Sequence, residues 1–77
     1  MRYFFHFMDG VEATDSEGIE CADAVAARNQ AIVEARALAA EDVQNGRLNL
    51  RDRIVVSDQD GATLFIVTFR DAIAVSY

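Results

Sequence analysis

Residues 3–8 read Tyr-Phe-Phe-His-Phe-Met, and this run decides the fold of the chain. Aromatic residues favour β-strands, and the run stops at Asp9-Gly10, a pair typical of a tight hairpin turn. A second strand-like run, Thr-Leu-Phe-Ile-Val-Thr-Phe, occupies residues 63–69. Each run is apolar on both of the sides that a strand presents, so the sheet that they form needs a cover on each face.

A long alanine-rich helix is predicted between the two runs. From Ala24 to about Gln44 there is no Gly or Pro, and small apolar residues recur at three- and four-residue spacing. The resulting stripe consists of Ala24, Ala27, Ala31, Ile32, Ala35, Leu38 and Ala39. Asp23 is placed to cap the first turn, and Asn45-Gly46 suits a left-handed cap at the other end.

Weaker patterns complete the order of the elements. Residues 11–14 are interpreted as a returning strand, and residues 19–21 as a short extended segment before the helix. Residues 53–58 and 62–69 are interpreted as a second hairpin, closed by the turn Gln59-Asp60-Gly61.

The order hairpin, helix, hairpin predicts one α+β domain over residues 1–77. We expect two layers: an antiparallel sheet of about four strands, with the long helix packed on one face. Leu48 and Leu50 are expected beneath the helix end. Residues 72–77 form either a last short strand or a tail.

Strand alternation indicates which residues face the helix. Alanines let the helix approach bulky partners, so we expect an aromatic set beneath it. That set is Tyr3, Phe5, Phe7, Phe65 and Phe69, although alternation also allows the reverse assignment. The other face then presents a candidate interface for a homodimer, because monomers rarely expose such apolar surface. Its residues are Phe4, His6, Met8, Leu64, Ile66 and Thr68.

Composition excludes several classes of protein. The net charge is −6, all 7 basic residues are Arg, and no basic cluster marks a nucleic-acid binder. No apolar stretch approaches the ~20 residues of a membrane span. Cys21 is the only cysteine, which excludes an internal disulfide and fits a reducing cytoplasm.

No catalytic residue, metal or cofactor is predicted. His6 is the only histidine, and the sequence marks no nucleophile or orienting partner for it, so a role in a strand or interface is favoured. The carboxylates between residues 9 and 20 lack the spacing of a calcium-binding EF-hand loop. The glycines form no phosphate-binding motif.

Several segments carry a resemblance to a known family. They are Arg2-Tyr3-Phe4-Phe5-His6, Asp9-Gly10, Asp15-Ser16-Glu17-Gly18, Asn45-Gly46-Arg47-Leu48, Val56-Ser57-Asp58 with Gly61, and Phe69-Arg70-Asp71-Ala72. In order and spacing they resemble a family of small alphaproteobacterial proteins built on a domain of unknown function. The resemblance implies a shared fold and a bacterial source, and no activity. Family members often have a Pro near the N-terminus, and this chain has none.

Arg70-Asp71 has two interpretations. It is a candidate partner contact, or it ends the preceding strand and solvates the strand's edge.

A looser similarity is to the antitoxin of HicA/HicB-type pairs, which also opens with an Arg-Tyr-Phe-type strand and enters an alanine- and glutamate-rich helix. The Phe-Pro-Asp-Leu-Pro-Gly motif of that family is absent here. The leading hypothesis is a non-enzymatic, dimeric interaction or regulatory module. The alternatives are an antitoxin-like or inhibitor protein whose acidic surface blocks a basic partner, and a small enzyme that uses His6.

Overall fold

The computed structural model describes residues 1–76 and shows an α+β fold of two layers, as predicted. The elements, in chain order, are β1 (Arg2–Met8), β2 (Glu12–Ala13), β3 (Ile19–Glu20), α1 (Ala24–Gln44), β4 (Arg53–Ser57), β5 (Thr63–Thr68) and α2 (Phe69–Ala72). Over this part of the chain, no helix combines the length and the apolar character needed to cross a membrane.

All the strand pairs are antiparallel, and β4 lies between β1 and β5. The short strands β2 and β3 pair with opposite ends of β1, on the edge away from β4. They act as one interrupted strand, because residues 14–18 leave the sheet between them. The expected sheet of about four strands is thus a five-stranded sheet with two very short members.

Helix α1 begins and ends where the sequence predicts. The Asp23 carboxylate accepts a hydrogen bond from the backbone N of Ala26 at 2.8 Å, which satisfies an otherwise free first-turn donor. At the other end Gly46 has φ of +79°, and its backbone N donates to the carbonyl of Val43. That left-handed conformation suits Gly because it has no Cβ.

The core lies between α1 and one face of the sheet, which we call the covered face. The helix contributes four buried alanines, Ala27, Ala31, Ala35 and Ala39. Against them pack Tyr3, Phe5, Ile54, Val56, Val67 and Phe69, with Phe7 and Phe65 partly buried at the margin. The aromatic set therefore faces the helix, as expected, and the reverse assignment is excluded.

The end of the second hairpin differs from the prediction. The strand stops at Thr68, one residue before its predicted end, and residues 69–72 form α2, so Arg70-Asp71 follows the end of the strand as part of a helix. The Thr68 side chain accepts from the backbone N of Asp71, while the Asp71 carboxylate accepts from the backbone N of Thr68. This reciprocal capping box starts a helix and turns Phe69 into the core, where its ring stacks on Phe7 at 5.9 Å.

Two expectations about the connections also need correction or completion. Leu50 packs against the core as expected, but Leu48 lies beside the helix end at Val43 and Gly46 and is 42% exposed. Residues 73–76 form no strand, and Tyr77 lies outside the described residues.

Candidate functional site on the uncovered sheet face

The face of the sheet opposite α1 has no second layer over it within residues 1–76, and we call it the uncovered face. Cross-strand register places three rows on it. The rows are Phe4, Ser57 and Thr63; His6, Val55 and Ile66; and Met8, Arg53 and Thr68. Five of the six predicted interface residues are in these rows.

Leu64, the sixth predicted interface residue, lies at an irregularity. The pairing of β4 with β5 shifts between Val56 and Ser57, so Leu64 is the extra residue in β5 and strict alternation does not apply to it. Its side chain is 40% exposed, beside Ile66 at 55%. Two large aliphatic side chains thus lie open to water in one strand.

Arg70 and Asp71, the predicted partner contact, are not part of this face. Both lie in α2, where the Asp71 carboxylate caps the helix and the Arg70 backbone N donates to the carbonyl of Leu50. Backbone and side-chain hydrogen bonds from Thr68 lower the pKa of Asp71. The local role of this pair is therefore to start a helix.

His6 lies in a short chain of hydrogen bonds in the middle row of the uncovered face, on β1. Its Nε2 is 3.0 Å from Oγ of Ser57, and its Nδ1 accepts from the backbone N of Asp15 at 3.0 Å. Because a backbone N–H can only donate, Nδ1 of the neutral ring carries no proton, and Nε2 donates to Ser57. Ser57 itself is buried.

This arrangement sets what the pair can do chemically. In a serine nucleophile activated by histidine, Nε2 must accept the hydroxyl proton while Nδ1–H donates to a carboxylate. Here both roles are reversed, since Asp15 offers its backbone N–H to Nδ1. The imidazole is held in the tautomer that cannot deprotonate Ser57.

The Asp15 carboxylate instead organises its own loop and the edge of β1. It accepts hydrogen bonds from the backbone N of Glu17 and Gly18 through Oδ1, and from that of Phe5 through Oδ2, all at 3.1 Å. Burial would raise the pKa of Asp15, but these three donors outweigh it and hold the pKa below its usual range. A carboxylate therefore fills the gap that β2 and β3 leave along β1.

Gly18 lets this loop lie close to the sheet. Its φ is +72°, and an added Cβ would come 2.8 Å from the carbonyl oxygen of Tyr3 and 3.0 Å from the Phe4 ring. The Arg2 guanidinium donates to the carbonyls of Glu17 and Gly18. The loop therefore lies against Phe4 of β1, whereas Ile66 of β5, across β4, remains exposed.

Sequence reasoning missed Ser57 and the link from Asp15 to His6. Ser57 is 51 residues from His6, and only the pairing of β1 with β4 brings them together. The Asp15 loop had a readable signal, since Asp followed by Gly three residues later is typical of a side chain that bonds its own turn. Nothing in that signal indicated that His6 would be its neighbour.

Metal binding gains no support from the geometry. Within residues 1–76, no three His, Cys, Asp or Glu side chains come together in a way that could hold an ion. Cys21 is half-buried against the core, and its backbone pairs with Met1.

Comparison with known proteins gives one match. The model of the family DUF6894, described as a domain of unknown function, matches residues 2–70. No curated protein matches the chain. No solved structure matches it either.

Proposed function

We propose a function from the surface of this chain itself, because the chain belongs to DUF6894, a domain family whose description assigns none. The protein is a non-enzymatic interaction module that pairs with a second copy of itself through the uncovered face. The observation that carries this proposal is the open apolar end of that face, around Ile66.

The apolar surface spans neighbouring strands. Ile66 is paired with half-buried Val55, and Val55 is paired with His6 of β1, which has half-buried Phe4 and Met8 on either side of it along the same face. Exposed patches of this kind are uncommon on monomers and usually mark interaction sites. Leu64, two residues before Ile66 in β5, is also exposed.

A second copy of the chain is the partner that this face suits best. A two-fold axis lets one patch bury its twin, so no other protein is needed to cover it. Arg53 is the only charged residue in the three rows, and the acidic residues that give the chain its net charge of −6 lie elsewhere. Two copies can therefore approach on this face without carboxylates opposing each other.

Size adds a second reason for self-association. A domain of this length buries only about 60% of the surface that its unfolded chain exposes, so its own core supplies limited stability. Apolar burial contributes roughly 25 cal/mol per Å², and a modest interface therefore adds a useful fraction of the total.

The tautomer of His6 supports the non-enzymatic part of the proposal. Its hydrogen bonds orient it as a donor to Ser57 rather than as a base. In this interpretation the His6 ring joins the loop at Asp15 to β4 and shapes one end of the interface.

Light scattering at micromolar concentration tests the dimer. We expect the unmodified chain to have twice the monomer mass and Ile66→Asp to be a folded monomer, since a charge would have to be buried at the interface. Val33→Asp is the matched control, because Val33 is 58% exposed on the helix layer, and it should remain dimeric. A monomeric mass for the unmodified chain would refute the proposal.

The cellular setting forms part of the same proposal. The single Cys21, which has no cysteine partner in the chain, supports a reducing cytoplasm. The segments around Arg2–His6 support an alphaproteobacterial source. Fractionation of a native host would test the compartment.

A further inference from the structure

The helix does not lie centrally over the covered face. Helix α1 packs mainly against β4, β5 and α2. The part of the covered face that belongs to β1 is consequently less well covered, and Phe7 remains only partly buried although it faces the helix layer. This offset leaves a groove between α1 and β1.

The groove has an apolar floor and one charged wall, and we call it the Glu34 groove. Phe5 and Phe7 of β1 form the floor with Ile54 of β4, and the wall is formed by α1. The helix contributes Glu34, Ala37 and Leu38. The groove has a volume of about 300 Å³, at the small end of the range for ligand pockets. Such pockets are typically apolar with a few polar groups.

Glu34 is the only ionisable side chain that lines the groove, and its charge is not compensated. The ion pairs within residues 1–76 join Met1 and Arg2 to Glu20, and none involves Glu34. The side chain is half-buried on the helix. Moving a carboxylate out of water and against two phenylalanines costs free energy when no cation is nearby. Binding a positively charged partner would offset that cost.

The titration of Glu34 agrees with this geometry. Burial raises the pKa of the Glu34 carboxyl; the Gln30 side chain opposes the rise, and the negative charge of Asp15 adds to it. A cation bound at Glu34 would also be attracted by Asp15, which hydrogen bonds hold in its charged form.

We propose that the Glu34 groove binds a small organic amine, with its ammonium group on the Glu34 carboxylate and its apolar body on Phe5 and Phe7. The aromatic floor favours a flat or aromatic body, because such rings pack face to edge or offset against phenylalanine. The ammonium supplies the positive charge that no residue of the groove provides. This site is on the helix side of the sheet, so it does not depend on pairing through the uncovered face.

A titration with phenethylamine and phenethyl alcohol, followed by NMR of the labelled protein, tests the proposal. The two probes share an apolar body and differ in charge. We expect the amine to bind at least about tenfold more tightly than the alcohol, the ratio that corresponds to about 1.4 kcal/mol. Shifts should concentrate on groove residues, and the pKa of the Glu34 carboxyl should fall when the amine is present.

Three variants sharpen the test. Glu34→Gln should remove the preference for the amine, whereas Glu41→Gln, which changes an exposed glutamate of the same helix, should keep it. Ala37→Leu keeps a good helix former at an exposed position and fills the groove, so it should weaken binding of both probes.

Certain outcomes would overturn the proposal while leaving the dimer untouched. They are equal affinity for the two probes, an amine preference that survives in Glu34→Gln, unchanged binding in Ala37→Leu, or no binding at millimolar concentration. The mass of the protein, measured in the same samples, reports separately on the dimer.

Discussion

The two faces of one sheet differ in how they treat apolar and polar side chains. On the covered face, aromatic and branched side chains are packed against alanines, and the buried Ile54 is 2% exposed. On the uncovered face, Ile66 in the next strand is 55% exposed. The same residue type is thus a core residue on one side of the sheet and an open surface on the other.

Polar groups show the opposite pattern. On the uncovered face, His6 and Ser57 are hydrogen-bonded to each other. On the covered side, Asp52 precedes β4 in phase with Ile54, is 3% exposed, and has an Oδ2 without a hydrogen-bond partner. The covered side therefore packs apolar side chains closely but includes one fully buried carboxylate oxygen without a hydrogen-bond partner. On the uncovered face the buried Ser57 is paired with His6, while the apolar Ile66 is exposed.

The largest expected effect separates the two isoleucines. Ile54→Ala should lower the free energy of unfolding by about 2–5 kcal/mol, because it leaves a cavity in the core. Ile66→Ala, its matched partner, should have a small effect in dilute protein that grows with protein concentration, since the proposed dimer would lose a contact. Denaturant unfolding at two concentrations measures both. A concentration-independent loss at Ile66 equal to that at Ile54 would contradict the difference between the faces.

The apolar half of this comparison was largely predictable from sequence. The alternation of side chains in Tyr3–Met8 and the alanine stripe of α1 are local patterns. Local patterns of this kind predict the buried face of an element well when the element is long. The prediction that Phe69 belongs to the strand is wrong for a local reason as well. Thr68 and Asp71 form a capping box, and the apolar run around Phe69 favours a strand over this helix start. The covered face was nevertheless assigned correctly, since small helix residues require large sheet residues.

The polar half was not predictable. The bond from His6 to Ser57 depends on the register of β1 against β4, which a sequence pattern does not define to the residue. Asp52 lies in the connection between α1 and β4, and no pattern in the sequence indicates its burial. Its burial follows from a backbone hydrogen bond, in which the N–H of Phe69, the first residue of α2, donates to the carbonyl oxygen of Asp52. The Glu34 groove likewise depends on where the helix axis lies over the sheet. The alanine stripe of α1 does not predict the position of that axis.

A smaller effect is expected from the Asp15 loop, which anchors the polar end of the uncovered face. Asp15→Asn should cost about 2 kcal/mol near neutral pH, because a neutral amide accepts fewer and weaker hydrogen bonds from the loop. The pKa of Asp15 is lowered in the folded protein, so its stabilisation is present above its unfolded pKa of about 3.9 and is lost as the pH falls below that value. Glu17→Gln is the control, because it also removes one negative charge from the same loop, at an exposed side chain.

Thermal melts between about pH 7 and pH 2 distinguish this role from simple charge removal. The difference between the unmodified chain and Asp15→Asn should shrink on acidification, while Glu17→Gln should stay close to the unmodified chain near neutral pH. If Asp15→Asn were as stable as the unmodified chain at neutral pH, the loop would not be held by this carboxylate.

The smallest expected effect is a gain in stability on the covered side. Burial raises the pKa of the Asp52 carboxyl, and the negative charges of Asp9 and Asp42 raise it further. Arg47 and Arg53 oppose the rise without cancelling it. A raised folded pKa means that ionised Asp52 destabilises the fold at neutral pH and that this cost disappears as the pH falls through the folded pKa toward the unfolded one.

Asp52→Asn should therefore stabilise the protein at pH 7 by about 1 kcal/mol, the usual scale for removing one unfavourable group. Its advantage should fade as the pH approaches the ordinary aspartate pKa of about 3.9, where the unmodified carboxyl becomes neutral in the folded protein as well. Asp60→Asn removes the same charge at an exposed position, and it should give less stabilisation at pH 7. Melts of the three proteins across this pH range measure the effect. A loss of stability in Asp52→Asn at neutral pH would mean that the carboxylate has a partner, and the contrast between the unpaired Asp52 oxygen on the covered side and the paired His6 and Ser57 on the uncovered face would no longer hold.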